Sequence, residues 1–434
     1  MHPTPRNSYL RAVTILSCAA VTIGTLGAPG AARAQAATLP TADATVRRAM
    51  DALQAQQAWI LEQQVSICEI PAPPFKEQRR AEEFRRRLTS FGFTNARIDS
   101  EGNAIAELGT AGSGPTVMIA GHLDTVFPEE TNVKTTRTGN RIAGPGIGDD
   151  CRGLAVVLAL AKVAKETQLQ PKGRIIFVGN VGEEGPGNLR GVRHLLTKEY
   201  TGTNKVDYFI SVDGAGQASI VSRAVGSHRY TISFEGPGGH SYGAFGMANP
   251  MHAMGRAIAR IADLPVPARP RVTYNVGIVR GGTSVNTITP LAQMDIDMRS
   301  EDPAALKEID TRIRAAVDTA VKEEKARWPN SRADITVKYD TIGIRPTGAQ
   351  ADDAPIVQVA MAAARAVGWT PRTSASSTDA NLPISLGIPA ITIDGGGRSS
   401  GAHGTEEWYE ETPDSYKGAQ FALLIITALA GIGR

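Results

Sequence analysis

The sequence predicts an α/β protein: a mixed, mostly parallel sheet flanked by helices, interrupted by a second unit of α+β character. Three observations predict it. Short apolar runs are bounded by turn residues, helix-forming stretches lie between them, and the pattern changes at Ser227 and reverts at Arg345. A strand buried on both faces reads as a near-continuous apolar run, whereas a half-exposed strand alternates.

The buried-strand runs are residues 116–120, 174–179, 206–210 and 388–393, with a continuous helix-forming stretch at 153–165 and a shorter helix at 188–198. Strands alternating with helices build a parallel or mixed sheet, and such sheets collect ligands at their strand ends. In the second unit, alternating strands fit 228–234, 274–279 and 292–298, helices fit 250–264 and 303–325, and a last strand fits 334–339. Strand, helix, two strands, helix, strand is the split βαβ, ferredoxin-like order. The expected layout is therefore a leader at 1–36, a main domain at 37–226 and 345–434, and an inserted domain at 227–344.

The leader is read from Arg6 and Arg11 before an apolar stretch at 12–26, with small-x-small sites at Ala32-Arg33-Ala34 and Ala34-Gln35-Ala36. That is the pattern of a secretory signal peptide, and it predicts an exported, periplasmic or secreted protein. Cys18 fits a lipoprotein cysteine poorly, because the apolar run continues beyond it. Removing the leader takes the 46 basic residues to 43, against 43 acidic ones. A near-neutral mature chain without a basic patch speaks against a nucleic-acid partner, and no later run is long enough to span a membrane. At 42% hydrophobic and 21% charged, the 434 residues have an ordinary globular composition with room for two domains. Cys68 and Cys151 are the two cysteines left after the leader, too few for a disulfide framework, and sequence leaves open whether they pair. Cys151 reads as a small buried residue at a helix start rather than as a nucleophile, since no motif places a base beside it.

The chemistry lies where the runs end. Residues 116–120 lead into Gly121-His122-Leu123-Asp124-Thr125-Val126, in which His122 and Asp124 point to one face of an extended segment. Alone, the pair reads more simply as a strand-end histidine salt-bridged to an aspartate. Its neighbours change that reading: Gly144-Pro145-Gly146-Ile147-Gly148-Asp149-Asp150, then Gly182-Glu183-Glu184-Gly185, Ser211-Val212-Asp213-Gly214 and Gly401-Ala402-His403-Gly404. His122, Asp149, Glu184, Asp213 and His403 make a mixed nitrogen and oxygen donor set that suits zinc, with manganese or cobalt as alternatives. They are too many for one tetrahedral ion with an open position, but enough for two ions if one carboxylate bridges. Two such ions share a hydroxide and polarise a carbonyl, which is hydrolytic chemistry. Glu183, beside a ligand, is placed to take a proton from metal-bound water and pass it to a leaving amine.

These motifs, in this order, resemble the dinuclear zinc hydrolases that include acetylornithine deacetylase, succinyl-diaminopimelate desuccinylase, peptidase T and glutamate carboxypeptidase. The resemblance covers nearly all of the chain after the leader. It implies a zinc-peptidase catalytic domain, an inserted domain serving as lid and dimerisation surface, and two zinc ions bridged by Asp149. His122 and Asp213 would complete one ion's site, and Glu184 and His403 the other's. Asp124 would orient His122, Glu183 would be the general base, and a cis peptide would follow Asp149. In the inserted domain, His240 in Gly238-Gly239-His240-Ser241 resembles the histidine that reaches the partner subunit's active site and would donate to the oxyanion. Asn286, Arg299 and Arg345 match positions lining the substrate pocket, with Arg345 the expected anchor for a substrate carboxylate. Two departures stand out. Cys151-Arg152 replaces a common lysine, and Asp213 stands where the deacylases have glutamate, which brings the chain closer to the peptidase T-like branch.

The expectation is thus an exported homodimeric metallopeptidase that cleaves small peptides by attack of a metal-bridging hydroxide. An amidohydrolase acting on N-acyl amino acids is the alternative. A noncatalytic binding protein on the same fold is disfavoured, because it would have no need to keep Glu183.

Overall fold

In a computed structural model that describes residues 38–331 and 334–433, the apolar runs pair into one sheet, of nine strands among the described residues. The expected leader lies outside them. Arg174–Asn180, Thr116–His122, Tyr208–Val212 and Ala390–Ile393 run parallel in the centre. Ala104–Gly109 and Ser219–Ala224 flank them antiparallel. Thr116–His122 and Arg174–Asn180 bury every residue, which is why no alternation marks them in the sequence.

The helix Cys151–Glu166 is buried along nearly its whole surface, packed against Thr116–His122 on one side and against Gln57–Cys68 and Lys417–Ala430 on others. A helix enclosed in this way is apolar all round rather than amphipathic. The stretch at 188–198 is realised as Arg190–His194 running into a wider π-helical turn, Leu195–Glu199, after a left-handed pair at Asn188 and Leu189. The apolar-run pattern does not single out the helices Ala44–Ala55, Gln57–Cys68, Gln78–Ser90, Pro355–Ala366 and Lys417–Ala430, which enclose the main core.

The inserted domain has its own core. Its antiparallel strands lie in the order Val272–Gly281, Leu291–Ser300, Gly226–Glu235, Thr336–Arg345. Helices Pro250–Ala262 and Pro303–Arg327 pack on one face, each with proline in its first turn and a side-chain cap, from Asn249 and Asp302. Ala292, Met294, Ile296 and Met298 turn towards those helices, so Gln293, Asp295, Asp297 and Arg299 fall on the opposite, polar face. The last strand runs through Arg345, which delivers that side chain at the return to the main domain.

Two features brace the sheet end that carries His122. Arg80, fully buried, donates to the carbonyls of Cys68, Ile70 and Leu123. Burial pulls its pKa down to about 10, opposed by the charges of Asp124 and Asp150. Cys68 and Cys151, also fully buried, are joined by a disulfide with Cα atoms 5.4 Å apart, tying the end of Gln57–Cys68 to the residue after Asp150. Among the described residues, no helix is long and apolar enough to cross a membrane.

Candidate active site

His122 is the last residue of its strand. Its Nδ1 lies 3.0 Å from the backbone carbonyl of Asp124 and 3.8 Å from that residue's carboxylate. A carbonyl can only accept, so Nδ1 carries the proton and Nε2 is the nitrogen free to ligate. Asp124 therefore orients the imidazole through its main chain. Its carboxylate instead accepts the backbone N–H groups of Glu183 (3.0 Å) and Glu184 (2.7 Å), holding the acidic pair in place. Burial pushes the Asp124 pKa up to about 7 against the opposing effect of His122.

The peptide between Asp149 and Asp150 is cis, and the two carboxylates part company there. Asp149 lies between the two imidazoles, with Oδ1 3.0 Å from His122 Nε2 and Oδ2 3.3 Å from His403 Nε2. His403 Nε2 is also 3.2 Å from Glu184 Oε1. Burial alone would raise the Asp149 pKa, but hydrogen bonds from both histidines hold it well below the usual range. Asp150 turns inward. It caps the following helix at the Gly153 N–H and accepts from the N–H groups of His122 (3.0 Å) and Gly214 (3.1 Å), fixing the chain beside two candidate ligands. This close approach needs Gly153, where a Cβ would sit 2.1 Å from the Val212 carbonyl oxygen.

Glu407 carries no signal in the sequence, where nothing separates it from Glu406. Its buried carboxylate accepts from the N–H groups of Gly146, Gly148 and Asp149, so it ties the His403 loop to the loop that delivers Asp149. Burial pushes its pKa up to about 7.

Asp149, Glu183, Glu184, Asp213 and His403 line one cavity of about 500 Å³, together with Arg229, Arg299 and Arg345. Burial and the Asp149 charge raise the Asp213 pKa well above the usual range. Burial raises that of Glu183 too, opposed by Arg345. Arg345 donates from Nη1 to Glu183 Oε1 at 2.8 Å and from Nη2 to the Glu183 carbonyl. His240 and Asn286 do not line this cavity. Both are exposed in the inserted domain: His240 ends the short strand Gly239–His240, which pairs with Thr287–Ile288 just after Asn286, and the Ser241 N–H donates to the Asn286 carbonyl.

The donor atoms of His122, Asp149 and Glu184 lie within 4.8 Å of one another. Two imidazole nitrogens facing separate oxygens of one carboxylate make the arrangement that two cations sharing Asp149 require, so the residues fit a metal pair. A second grouping, Asp99, His194 and Glu199, has a structural explanation. Asp99 Oδ1 accepts three backbone N–H groups of its own turn, Oδ2 accepts from Asn103, and Glu199 pairs with Arg97.

Protonation competes with metal here. The His403 pKa is pushed up to about 10 by hydrogen bonds to Asp149 and Glu184, and that of His122 lies well above its usual value. The His403 ring therefore holds its proton at neutral pH until a cation displaces it, and the upward shift of His122 acts in the same direction. Apparent metal affinity is therefore expected to rise with pH, by about tenfold per unit for each proton displaced. Chelator competition at pH 6, 7 and 8 checks this, and an affinity flat across that range would contradict it.

An α/β sheet that presents imidazoles and carboxylates around a common cavity at the ends of its parallel strands has the layout of a hydrolase that works with bound metal. Residues 118–428 match the model of peptidase family M20/M25/M40, and the chain belongs to that family. It is 25% identical over 352 residues to a succinyl-diaminopimelate desuccinylase of Corynebacterium glutamicum, covering 79% of this chain and 89% of that one. It is 27% identical over 241 residues to carboxypeptidase G2 of a Pseudomonas species, covering 52% and 56%. In fold it is similar to the crystal structure of aminopeptidase PepT from Bacillus cereus, with a TM-score of 0.67 at 23% identity, covering 86% of this chain and 99% of that one.

Proposed function

We propose that the protein is an exported, dinuclear-metal peptidase that cleaves small peptides, with Glu183 as general base. The observation that carries this reading is the placement of His122 and His403 on separate oxygens of Asp149, with Glu183 lining the same cavity. His122 and Asp213 would hold one ion and Glu184 and His403 the other, zinc being the metal that best suits the donor set. When bound, such a pair activates water and polarises the scissile carbonyl. The protein's own part is to move protons: Glu183 takes one from the attacking water and delivers it to the departing nitrogen.

His240 would donate to the oxyanion from a second subunit. Its Nδ1 accepts the N–H groups of Tyr242 and Gly243, so Nε2 carries the proton and is the donor. The exposed Tyr242 and Val285 beside His240 and Asn286 favour burial of these loops against a partner copy in a homodimer. Export accords with the Cys68–Cys151 disulfide, since such bonds persist in oxidising compartments.

The similarity to a desuccinylase over most of both chains keeps a second reading, deacylation of N-acyl amino acids. A hydrolysis screen of free di- and tripeptides against N-acyl amino acids, with metal content measured on the same samples, separates the two. Peptides should be cleaved and two ions per chain found. Turnover confined to the acylated set would replace the peptidase reading with the second one.

A further inference from the structure

We propose that the side-chain amide of Asn381 is the pin on which the inserted domain is hung, a positioning residue that fixes the angle at which that domain stands over the cavity. The proposal goes beyond the hydrolase reading above and depends on it only for the kinetic part of its test.

The inserted domain joins the main domain through two crossings, Ala224-Val225-Gly226 on the way out and Arg345-Pro346-Thr347-Gly348 on the return. On the inserted side the two strands pair as far as Arg345 opposite Ser227, and on the main side pairing resumes with Gly348 opposite Ala224. The register carries straight through, so Gly226 would face Pro346 and Val225 would face Thr347. Among the described residues neither of these pairs is formed. Pro346 has no N–H to give to a ladder. The chains nevertheless run close together, since a Cβ on Gly226 would lie 2.4 Å from Thr347 Cγ2 and 2.8 Å from the Arg345 carbonyl oxygen. A break of two residues between two ladders is the kind of place at which a hinge absorbs rotation.

Asn381 fills the break. Its Nδ2 donates to the Val225 carbonyl at 2.8 Å and to the Pro346 carbonyl at 3.0 Å, one acceptor from each crossing. A primary amide has two N–H donors, so both are used, and Oδ1 accepts the Thr378 N–H at 2.9 Å. The side chain is fully buried. The segment that carries it is anchored to the main sheet. Thr378 Oγ1 meets Thr392 Oγ1 at 2.7 Å within the strand Ala390–Ile393, and Asp379 Oδ2 accepts from Asn180, the last residue of Arg174–Asn180, at 2.7 Å. The Ser376 carbonyl accepts the Val225 N–H at 2.9 Å. A block fixed to the sheet thus grips both crossings at the point where they no longer hold each other.

The angle set there decides what the cavity contains. Ser376 and Ser377 line it, and Ser377 Oγ accepts from Arg345, the residue before Pro346. On the main-domain side, Asn188 Oδ1 accepts the Ile344 N–H at 3.1 Å and the Gly185 carbonyl accepts from Arg229 at 3.1 Å, contacts that a rotated inserted domain would lose. All five candidate ligands belong to the main domain, so rotation would reshape the cavity and leave the ligand set intact. Without the pin, two buried carbonyls lose their donor and the inserted domain samples further angles. A ligand that touches both domains would then bind only the fraction of molecules at the right angle. Its apparent dissociation constant rises by the inverse of that fraction, while the bound state stays as it was.

The test measures, in the metal-loaded protein, the distance within one chain between spin labels on Gln54→Cys and Lys307→Cys, both exposed positions, together with steady-state kinetics on peptides and N-acyl amino acids. Wild type should give one narrow distance. Asn381→Ala should at least double its width and raise KM tenfold or more, with kcat within threefold and metal content unchanged. Asn381→Ser, which keeps one shorter donor, should fall between the two and carries the test if the alanine variant does not fold. A folded, metal-loaded variant with the wild-type width and KM would overturn the proposal. So would a loss of kcat alone, which would make Asn381 a support for the turn bearing Ser376 and Ser377 and nothing more. If wild type turns over none of the compounds, the hydrolase reading fails, and the label widths decide the pin by themselves.

Discussion

Glu183→Gln is expected to lower kcat by roughly 10²–10⁴-fold while the bound metal ions stay in place. Glutamine keeps the shape of the side chain and still offers Arg345 a carbonyl oxygen at the position of Oε1, so the buried contact at 2.8 Å survives in part. It cannot take up a proton near neutral pH. A purely structural Glu183, present only to pair with Arg345, would tolerate the change with little loss of rate. Metal content by elemental analysis together with kcat on a cleaved peptide decides between these. Near-normal turnover with full metal content would remove Glu183 from the chemistry.

Replacing both Cys68 and Cys151 by alanine is expected to cost roughly 4–5 kcal/mol of folding stability, from the entropy released when a loop of this length is no longer closed in the unfolded chain. The two residues are 83 positions apart, and both are fully buried, so the bond constrains a long loop in the unfolded chain. Urea denaturation of the wild-type and double-alanine proteins, compared at their midpoints and slopes, measures the loss. Because Cys151 directly follows Asp150, the variant should also release metal to a chelator faster than wild type. Unchanged midpoint and release rate would mean that packing around Gln57–Cys68 alone holds this end of the sheet.

Much of this architecture is legible along the chain because strands and helices write their own periods. Burial on both faces makes 174–179 a continuous apolar run, and one polar face makes 292–298 alternate. The candidate ligands are legible for a related reason. A strand of a parallel sheet ends where its chain turns at a glycine, so an acid or histidine just past an apolar run is already placed at the sheet's carboxyl edge. His122, Glu184 and Asp213 are of this kind. His403 is legible only through the order of motifs, and it reaches Asp149 from a loop that no period describes.

What the sequence determined by itself was therefore the fold class, the order of the elements and the set of residues from which a metal site would be drawn. The tertiary structure decided their pairings. Asp124 holds the backbone of the acidic pair and leaves the imidazole to its own carbonyl. Glu407 grips the Asp149 loop from 258 positions away. Arg345 spends its donors on Glu183, and Cys68 finds Cys151. The physical reason is common to all four. Local periodicity depends on neighbours in the chain, whereas a hydrogen bond or disulfide between distant side chains depends on which surfaces meet once the core has closed, and no spacing along the chain records that.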